Sequence, residues 1–220
     1  MKTAIVLGAT GLVGSQLASF LLENEAFAKV KILTRRPTGI NHPKAEEHLI
    51  DFDQPEKWAD LVMGDVLFSA FGTTLKKAGG KEAQYKIDYH YQFLVARLAA
   101  ENAVPDCVLV SAPGADSKSK FFYNRMKGDL DRDVSKLGFD KLRIIQPSVL
   151  FGNRTENRMG ERLGIIVGKG LAWIPGLRKY RPISGEQVAR AMIRAYDDNI
   201  PLPIVLYSLD QLHKMSKEEL

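Results

Sequence analysis

The chain has 220 residues, 45% apolar and 26% charged, with a formal net charge of +5. Those proportions describe a folded globular protein and exclude a disordered, collagen-like or coiled-coil chain. At this length a single domain spanning residues 1–220 is expected. No run of about 18 apolar residues exists, so no membrane-spanning segment is expected. The charge is local: residues 154–181 hold seven basic and two acidic side chains, an excess equal to that of the whole chain.

In chain order, short apolar runs alternate with segments of helical period. Residues 3–7 read as a buried strand that runs straight into a glycine turn, unlike the apolar stretch of a secretory leader. A helix is expected over 12–24, a strand over 29–34, a weaker strand over 47–51 and a short helix over 55–62, with Pro55 in its first turn. Residues 65–70 read as strand four and 71–80 as a loop. One long helix is expected over 81–102, a strand over 106–111, a helix over 119–137 and a strand over 141–146. After Pro147 the rhythm weakens, with helices expected over 158–167 and 186–198 and a late strand over 203–207. The polar tail from Asp210 reads as frayed. This β-α-β-α rhythm predicts an α/β fold, a doubly wound parallel sheet (Rossmann fold), with a small C-terminal substrate-side segment at 148–183. The lone cysteine, Cys107, lies in the apolar run Cys107–Val110 and reads as a core residue. With no disulfide to form, a reducing compartment and a cytoplasmic location are expected.

The first strand ends in Gly8-Ala9-Thr10-Gly11-Leu12-Val13-Gly14, a G-x-x-G-x-x-G run between strand and helix. That context is the one a dinucleotide phosphate turn requires. Gly8 serves the sharp turn, Gly11 the approach of backbone to pyrophosphate, and Gly14 the packing of helix on strand. The helix N-terminus, with Thr10, Leu12 and Val13 leading into it, offers N–H groups and partial positive charge to phosphates. At the end of strand two, where an NAD site places a carboxylate, the chain has Arg35 and Arg36. Arginine pairs with a 2′-phosphate, so NADP(H) is preferred over NAD(H). Asp51 and Phe52, after strand three, are candidates to read the adenine edge. No Gly-Lys-Ser/Thr follows the glycines, which excludes a P-loop ATPase.

Strand five ends at Ser111, and Tyr123 and Lys127 follow at i, i+4 on one face of the next helix. An ammonium beside a phenol lowers the phenol pKa, so Tyr123 is expected to exchange a proton with a substrate carbonyl or hydroxyl oxygen. Ser111 is expected to steady that oxygen, and Lys127 to hold the nicotinamide ribose. No His-Glu-x-x-His run or cysteine cluster is present, so no metal site is expected.

The glycine turn, the strand-four end Ala70-Phe71-Gly72-Thr73-Thr74, Ser111, and Tyr123 with Lys127 fall in the order found in the short-chain dehydrogenase/reductase superfamily. The chain resembles the atypical branch of that superfamily, with its closest likeness to the Tat-interacting-protein-like oxidoreductases. That likeness rests on the Gly-Thr-Thr loop, the Ser-x-x-Gly-Ala-Asp stretch from Ser111, and the Tyr-x-x-x-Lys-Gly run ending at Gly128. The resemblance implies an NADP(H)-binding domain with Tyr123 as acid/base. It also implies that Ala70, Gly72 and Thr73 lie close to the cofactor and that Pro147 and Val149 flank the nicotinamide carboxamide. One departure stands out: many extended members carry Asn in the helix before strand five, and this chain has Asp88.

The expected partner is a small carbonyl or hydroxyl compound. An acidic one would suit the basic segment, in which Arg154, Arg158 and Arg162 are spaced for one helix face and Arg178, Lys179 and Arg181 form a second cluster. No nucleic-acid-binding motif accompanies these residues. Leu171-Ala172-Trp173-Ile174-Pro175 beside them offers a second reading, a peripheral membrane contact. Two functional expectations follow: an NADP(H)-dependent oxidoreductase, or an NADP(H)-sensing binding module with little turnover. The presence of Ser111, Tyr123 and Lys127 together favours the first.

Overall fold

In the computed structural model, residues 1–151 and 181–217 are described. Seven parallel strands form one sheet: β1 (Lys2–Leu7), β2 (Phe27–Thr34), β3 (Ala45–Leu49), β4 (Val66–Ser69), β5 (Asp106–Val110), β6 (Lys141–Gln146) and β9 (Ile204–Ser208), in spatial order β3-β2-β1-β4-β5-β6-β9. A separate two-stranded ribbon pairs β7 (Leu150–Phe151) with β8 (Ile183–Ser184). The strand order reverses between β1 and β4, and ligands of open α/β sheets bind outside the carboxyl ends at such a switch point. This is the parallel α/β architecture expected from the sequence.

Helices cover both faces. One face is packed by α1 (Gly14–Glu23) and α6 (Gly185–Tyr196), whose buried Leu17, Leu21, Val188 and Met192 meet Ala4, Val6, Ile32 and Phe68. The other is packed by α4 (Gln92–Glu101) and α5 (Phe122–Val134), with Val95, Ala99, Leu130 and Val134 against Ile5, Leu7, Leu67 and Leu109. Cys107 lies in this second layer, fully buried, as its apolar run implies. Residues on either side of each central strand are therefore both apolar, which is why these strands read as continuous runs rather than alternations.

Four elements differ from the sequence expectation. The helix expected over 55–62 is two 3₁₀ turns, Pro55–Lys57 and Ala59–Leu61, pinned where Trp58 Nε1 donates to the Asp51 carbonyl at 2.6 Å. Within the expected loop 71–80, residues Leu75–Ala78 make a single turn, α2, capped by Thr74 Oγ1, which accepts from the Lys77 N–H. The expected helix 81–102 is interrupted: α3 (Lys81–Tyr85) passes into a π-helical segment, Lys86–Tyr91, before α4 begins. Finally, the tail from Asp210 is not frayed, because α7 (Asp210–Met215) buries Leu212 and His213 against the sheet layer. The expected helix 158–167, the basic residues Arg154, Arg158, Arg162, Arg178 and Lys179, and the Leu171–Pro175 stretch lie outside the described residues. Among the described residues no helix is long and apolar enough to cross a membrane.

Candidate active site

The turn from β1 to α1 is built by close approach. Gly8 has φ of +97°, and a Cβ there would lie 2.6 Å from the Ala70 carbonyl oxygen. That contact brings the end of β4 under the turn, with the Ala70 N–H donating to the Leu7 carbonyl at 2.9 Å. A Cβ on Gly14 would lie 2.1 Å from the Gly8 carbonyl oxygen, so α1 can start only at a glycine. The Gly11 N–H donates back to the Gly8 carbonyl at 2.8 Å and closes the turn. α1 begins with no side-chain cap and no acidic residue in its first turn, leaving its positive end for an anion. Thr10 is exposed, Gly11 and Leu12 are half-buried, and Val13 is buried in the core.

Beyond β2, Arg35 and Arg36 are both exposed. The Arg35 guanidinium lies 5.5 Å from the centre of the Phe71 ring, which turns it toward the sheet switch point. Phe52 is buried, stacked between Phe71 and Tyr91 with ring centres 5.3 and 4.8 Å away. The Asp51 carboxylate accepts from the Asp53 N–H and from Gln54 Nε2, so it holds its own loop together. These glycines, arginines and aromatics fit a dinucleotide: a cradle that a Cβ would fill, a free helix end, and a cation over a flat ring.

At the carboxyl ends of β4, β5 and β6 the polar side chains are interlocked. Asp88, from the π-helical segment, is 1% exposed, and its Oδ1 accepts the Thr73 N–H at 2.6 Å. Its carboxylate also lies under Gly72, so it holds the Gly72–Thr73 loop in place. Its own carbonyl accepts from Gln92 Nε2 at 2.7 Å, and Gln92 Oε1 accepts from Ser69 Oγ at 2.9 Å. Lys127 is buried on α5, and its Nζ donates to the Val110 carbonyl at 3.2 Å. Ser111 Oγ donates to Asp131 Oδ2 at 2.7 Å. Pro147 is buried, whereas Val149 is exposed, its carbonyl accepting the Ile183 N–H at 3.0 Å.

The electrostatics join these groups. Burial lowers the Lys127 pKa, opposed by the charges of Asp88 and Asp131. Burial raises both carboxyls, opposed in each by Lys127. Tyr123 is raised above the ordinary phenol range, first by burial and then by Asp88 and Asp131. The tyrosine as a whole is 42% exposed, at the open end of the sheet. The depression expected from Lys127 is not seen: burial of the phenol dominates, the charges of Asp88 and Asp131 add to it, and the Lys127 ammonium is turned to the Val110 carbonyl. Ser111 is bonded to Asp131, and Tyr123 and Lys127 both feel the charges of Asp88 and Asp131. Asp131 was not among the candidates read from the sequence. Its signal is the spacing: Tyr123, Lys127 and Asp131 recur every four residues on one face of α5.

The family whose members are described as NAD(P)H-binding matches this chain over residues 8–199, from the glycine turn to beyond α6. The chain belongs to that NAD(P)H-binding family. Protein FMP52, mitochondrial, of Candida albicans is 38% identical over 200 residues, covering 87% of this chain and 86% of the relative. Protein fmp52, mitochondrial, of Aspergillus fumigatus is 34% identical over 213 residues, 91% of each chain. Among solved structures, the Bordetella bronchiseptica enzyme WbmH in complex with NAD+ superposes with a TM-score of 0.69 at 16% identity, covering 94% of this chain and 75% of that one. ADP-L-glycero-D-manno-heptose-6-epimerase of Helicobacter pylori gives 0.69 at 17% identity, with 98% and 81% covered. The solved structures uphold the Rossmann fold, and the family match upholds an NAD(P)H-binding domain. The relatives also correct one expectation. A single buried cysteine suits any reducing compartment, and the relatives are named as mitochondrial proteins, so the cytoplasmic location does not stand.

Proposed function

We propose that this NAD(P)H-binding protein is an NADP(H)-dependent oxidoreductase acting on a small carbonyl or hydroxyl compound, and that it works in mitochondria, as its relatives' names indicate. The observation that carries the reading is the placement of Tyr123, Lys127 and Asp131 on one face of α5 at the open end of the sheet, with Ser111 bonded to Asp131 and Lys127 to the Val110 carbonyl. Residues of the turn Gly8–Gly14 would hold the pyrophosphate, with Thr10, Gly11, Leu12 and Val13 nearest it. Arg35, with Arg36 beside it, would pair with a 2′-phosphate. Asp51 and Phe52 would border the adenine, Ala70, Gly72 and Thr73 the middle of the dinucleotide, and Pro147 and Val149 the nicotinamide end. When bound, the dinucleotide supplies or accepts the hydride.

What the chain supplies is the proton and its control. Tyr123 is protonated at neutral pH and so has a proton to give to a carbonyl oxygen, while burial makes it a weaker acid than a free phenol. Ser111 contacts the same oxygen. Lys127, buried and hydrogen-bonded to Val110, carries the cation that balances the carboxylates and would hold the ribose.

Two substitutions test this. Tyr123→Phe keeps the ring and removes the acid, so NADPH-dependent turnover of a panel of aldehydes and quinones should fall by about 10²–10⁴-fold with NADPH affinity unchanged. Turnover surviving in that variant would exclude Tyr123 as the acid. Arg35→Ala should weaken NADPH binding by roughly 10–100-fold, as expected for one charge-assisted bond, and NADH binding far less. Equal losses in calorimetric titrations with the two nucleotides would remove the basis for an NADP(H) preference.

A further inference from the structure

A serine hydroxyl has one proton to give and two lone pairs to accept with. At Ser111 the proton is engaged: its Oγ donates to Asp131 Oδ2 at 2.7 Å, and the residue is 4% exposed. Gln146 Nε2, from β6, reaches the same Oδ2 at 3.5 Å. The other carboxyl oxygen, Asp131 Oδ1, is buried with no hydrogen-bond partner among the described residues. A buried carboxyl oxygen left unpaired is costly, and the cost falls if the carboxyl takes up a proton. Around Asp131 stand Lys127 and Tyr123 on its own helix, Ser111 from the end of β5 and Gln146 from β6; Asp88, from the π-helical segment, faces the same Lys127.

We propose that Asp131 is a positioning residue that sets the hydrogen-bond polarity of Ser111 toward the reacting oxygen. Ionised, Asp131 accepts the Ser111 O–H hydrogen bond and leaves Ser111 able only to accept from a ligand, which suits a hydroxyl compound. Protonated, the carboxyl donates its own O–H to Ser111 Oγ and frees the serine proton for a carbonyl oxygen, beside the proton of Tyr123. The protein then favours carbonyl binding on the acid side and hydroxyl binding on the alkaline side of the Asp131 titration. Burial moves that titration above the ordinary aspartate range, against the opposing pull of Ser111, Lys127 and Gln146. The inference rests on the reading that Ser111 contacts the reacting oxygen.

The test uses the full chain with Asp131→Asn and Ser111→Ala as variants. In a titration followed by ¹³C-carboxyl resonances of labelled aspartate, one signal should titrate above the ordinary range and be missing from Asp131→Asn. In Ser111→Ala it should move further upward, because the donor to the ionised form is gone. The second readout is kcat/KM for phenanthrenequinone with NADPH as a function of pH. For the native chain it should fall by about tenfold, one hydrogen bond's worth, as pH rises through that titration. In Asp131→Asn no group titrates beside Ser111, so this limb should flatten; in Ser111→Ala it should flatten at a lower level. An Asp131→Asn profile with the native limb, or an aspartate titration unmoved by Ser111→Ala, overturns this proposal alone. A native chain that reduces no quinone or aldehyde overturns the oxidoreductase reading instead.

Discussion

Asp198→Ala should destabilise the fold by about 3–5 kcal/mol, the cost of leaving a buried charge without its partner. Arg143 sits in the middle of β6 with its side chain wholly buried. Its Nε and Nη2 donate to the two Asp198 carboxylate oxygens at 2.8 and 2.7 Å. The rest of the guanidinium is spent on carbonyls, Leu202 at 2.9 Å and Ile200 at 3.1 Å. The Tyr207 hydroxyl donates to the same carboxylate. One arginine therefore ties down the loop that delivers β9 to the edge of the sheet. Removing Asp198 strands the guanidinium; replacing both partners, as in Arg143→Met with Asp198→Leu, should cost far less, because no charge is then left buried. Urea unfolding of the three chains distinguishes these outcomes. Burial alone would raise the Asp198 carboxyl, but hydrogen bonds from Arg143 and Tyr207 outweigh it and hold it below the ordinary range. A depressed carboxyl contributes stability above the unfolded-state pKa of about 4, lost as pH falls through the folded value. Acid unfolding should accordingly flatten in Asp198→Ala. An alanine variant within about 0.5 kcal/mol of the native chain would show that the pair carries no stability.

Gly14→Ala should damage the fold and the candidate site together. The added carbon would lie 2.1 Å from the Gly8 carbonyl oxygen, which is backbone and cannot rotate away. Helix α1 would have to back off from β1, costing about 1–3 kcal/mol as overpacking does. The same movement widens the phosphate turn, so NADPH affinity should fall by at least about tenfold, the worth of one hydrogen bond to the phosphates. Thermal unfolding with and without NADPH reads both effects: a lower midpoint, and a smaller upward shift on adding nucleotide. A variant that binds NADPH like the native chain would disconnect Gly14 from the site.

Much of this was legible because it is local. The apolar runs at 3–7, 65–70 and 141–146 became β1, β4 and β6 within a residue or so, since a strand buried on both faces leaves an unmistakable run. The glycine spacing marked a turn whose tightness the backbone contacts explain. What stayed hidden is non-local. Arg143 interrupts an apolar strand with a charge whose partner lies 55 residues on, and no periodicity links them. The aromatic stack centred on Phe52 was not legible, because it depends on Phe71 and Tyr91 arriving from other elements. The break in the helix over 81–102 was invisible because Ile87, Tyr91, Leu94, Val95, Leu98 and Ala99 are spaced for one continuous helical face, and that spacing does not show where the hydrogen-bond ladder shifts. The downward shift expected for Tyr123 was not met for a related reason: the spacing showed the ammonium four residues away but neither the burial of the phenol nor the charges of Asp88 and Asp131.

The π-helical stretch Lys86–Tyr91 makes the register of this helix a determinant of the site in its own right. Such a stretch houses one residue more than α-helical spacing allows, and it is here that Asp88 turns under the Gly72–Thr73 loop while Gln92 takes up its carbonyl. Losing one residue from it would heal the helix and swing Lys81–Tyr85 by about 100° relative to α4, with every side chain still chemically intact. The carboxylate would then be in the chain but no longer under the loop. A gap of one position between Lys81 and Gln92, in any chain aligned with this one, therefore says more about whether the site is assembled than the identity of the residues on either side.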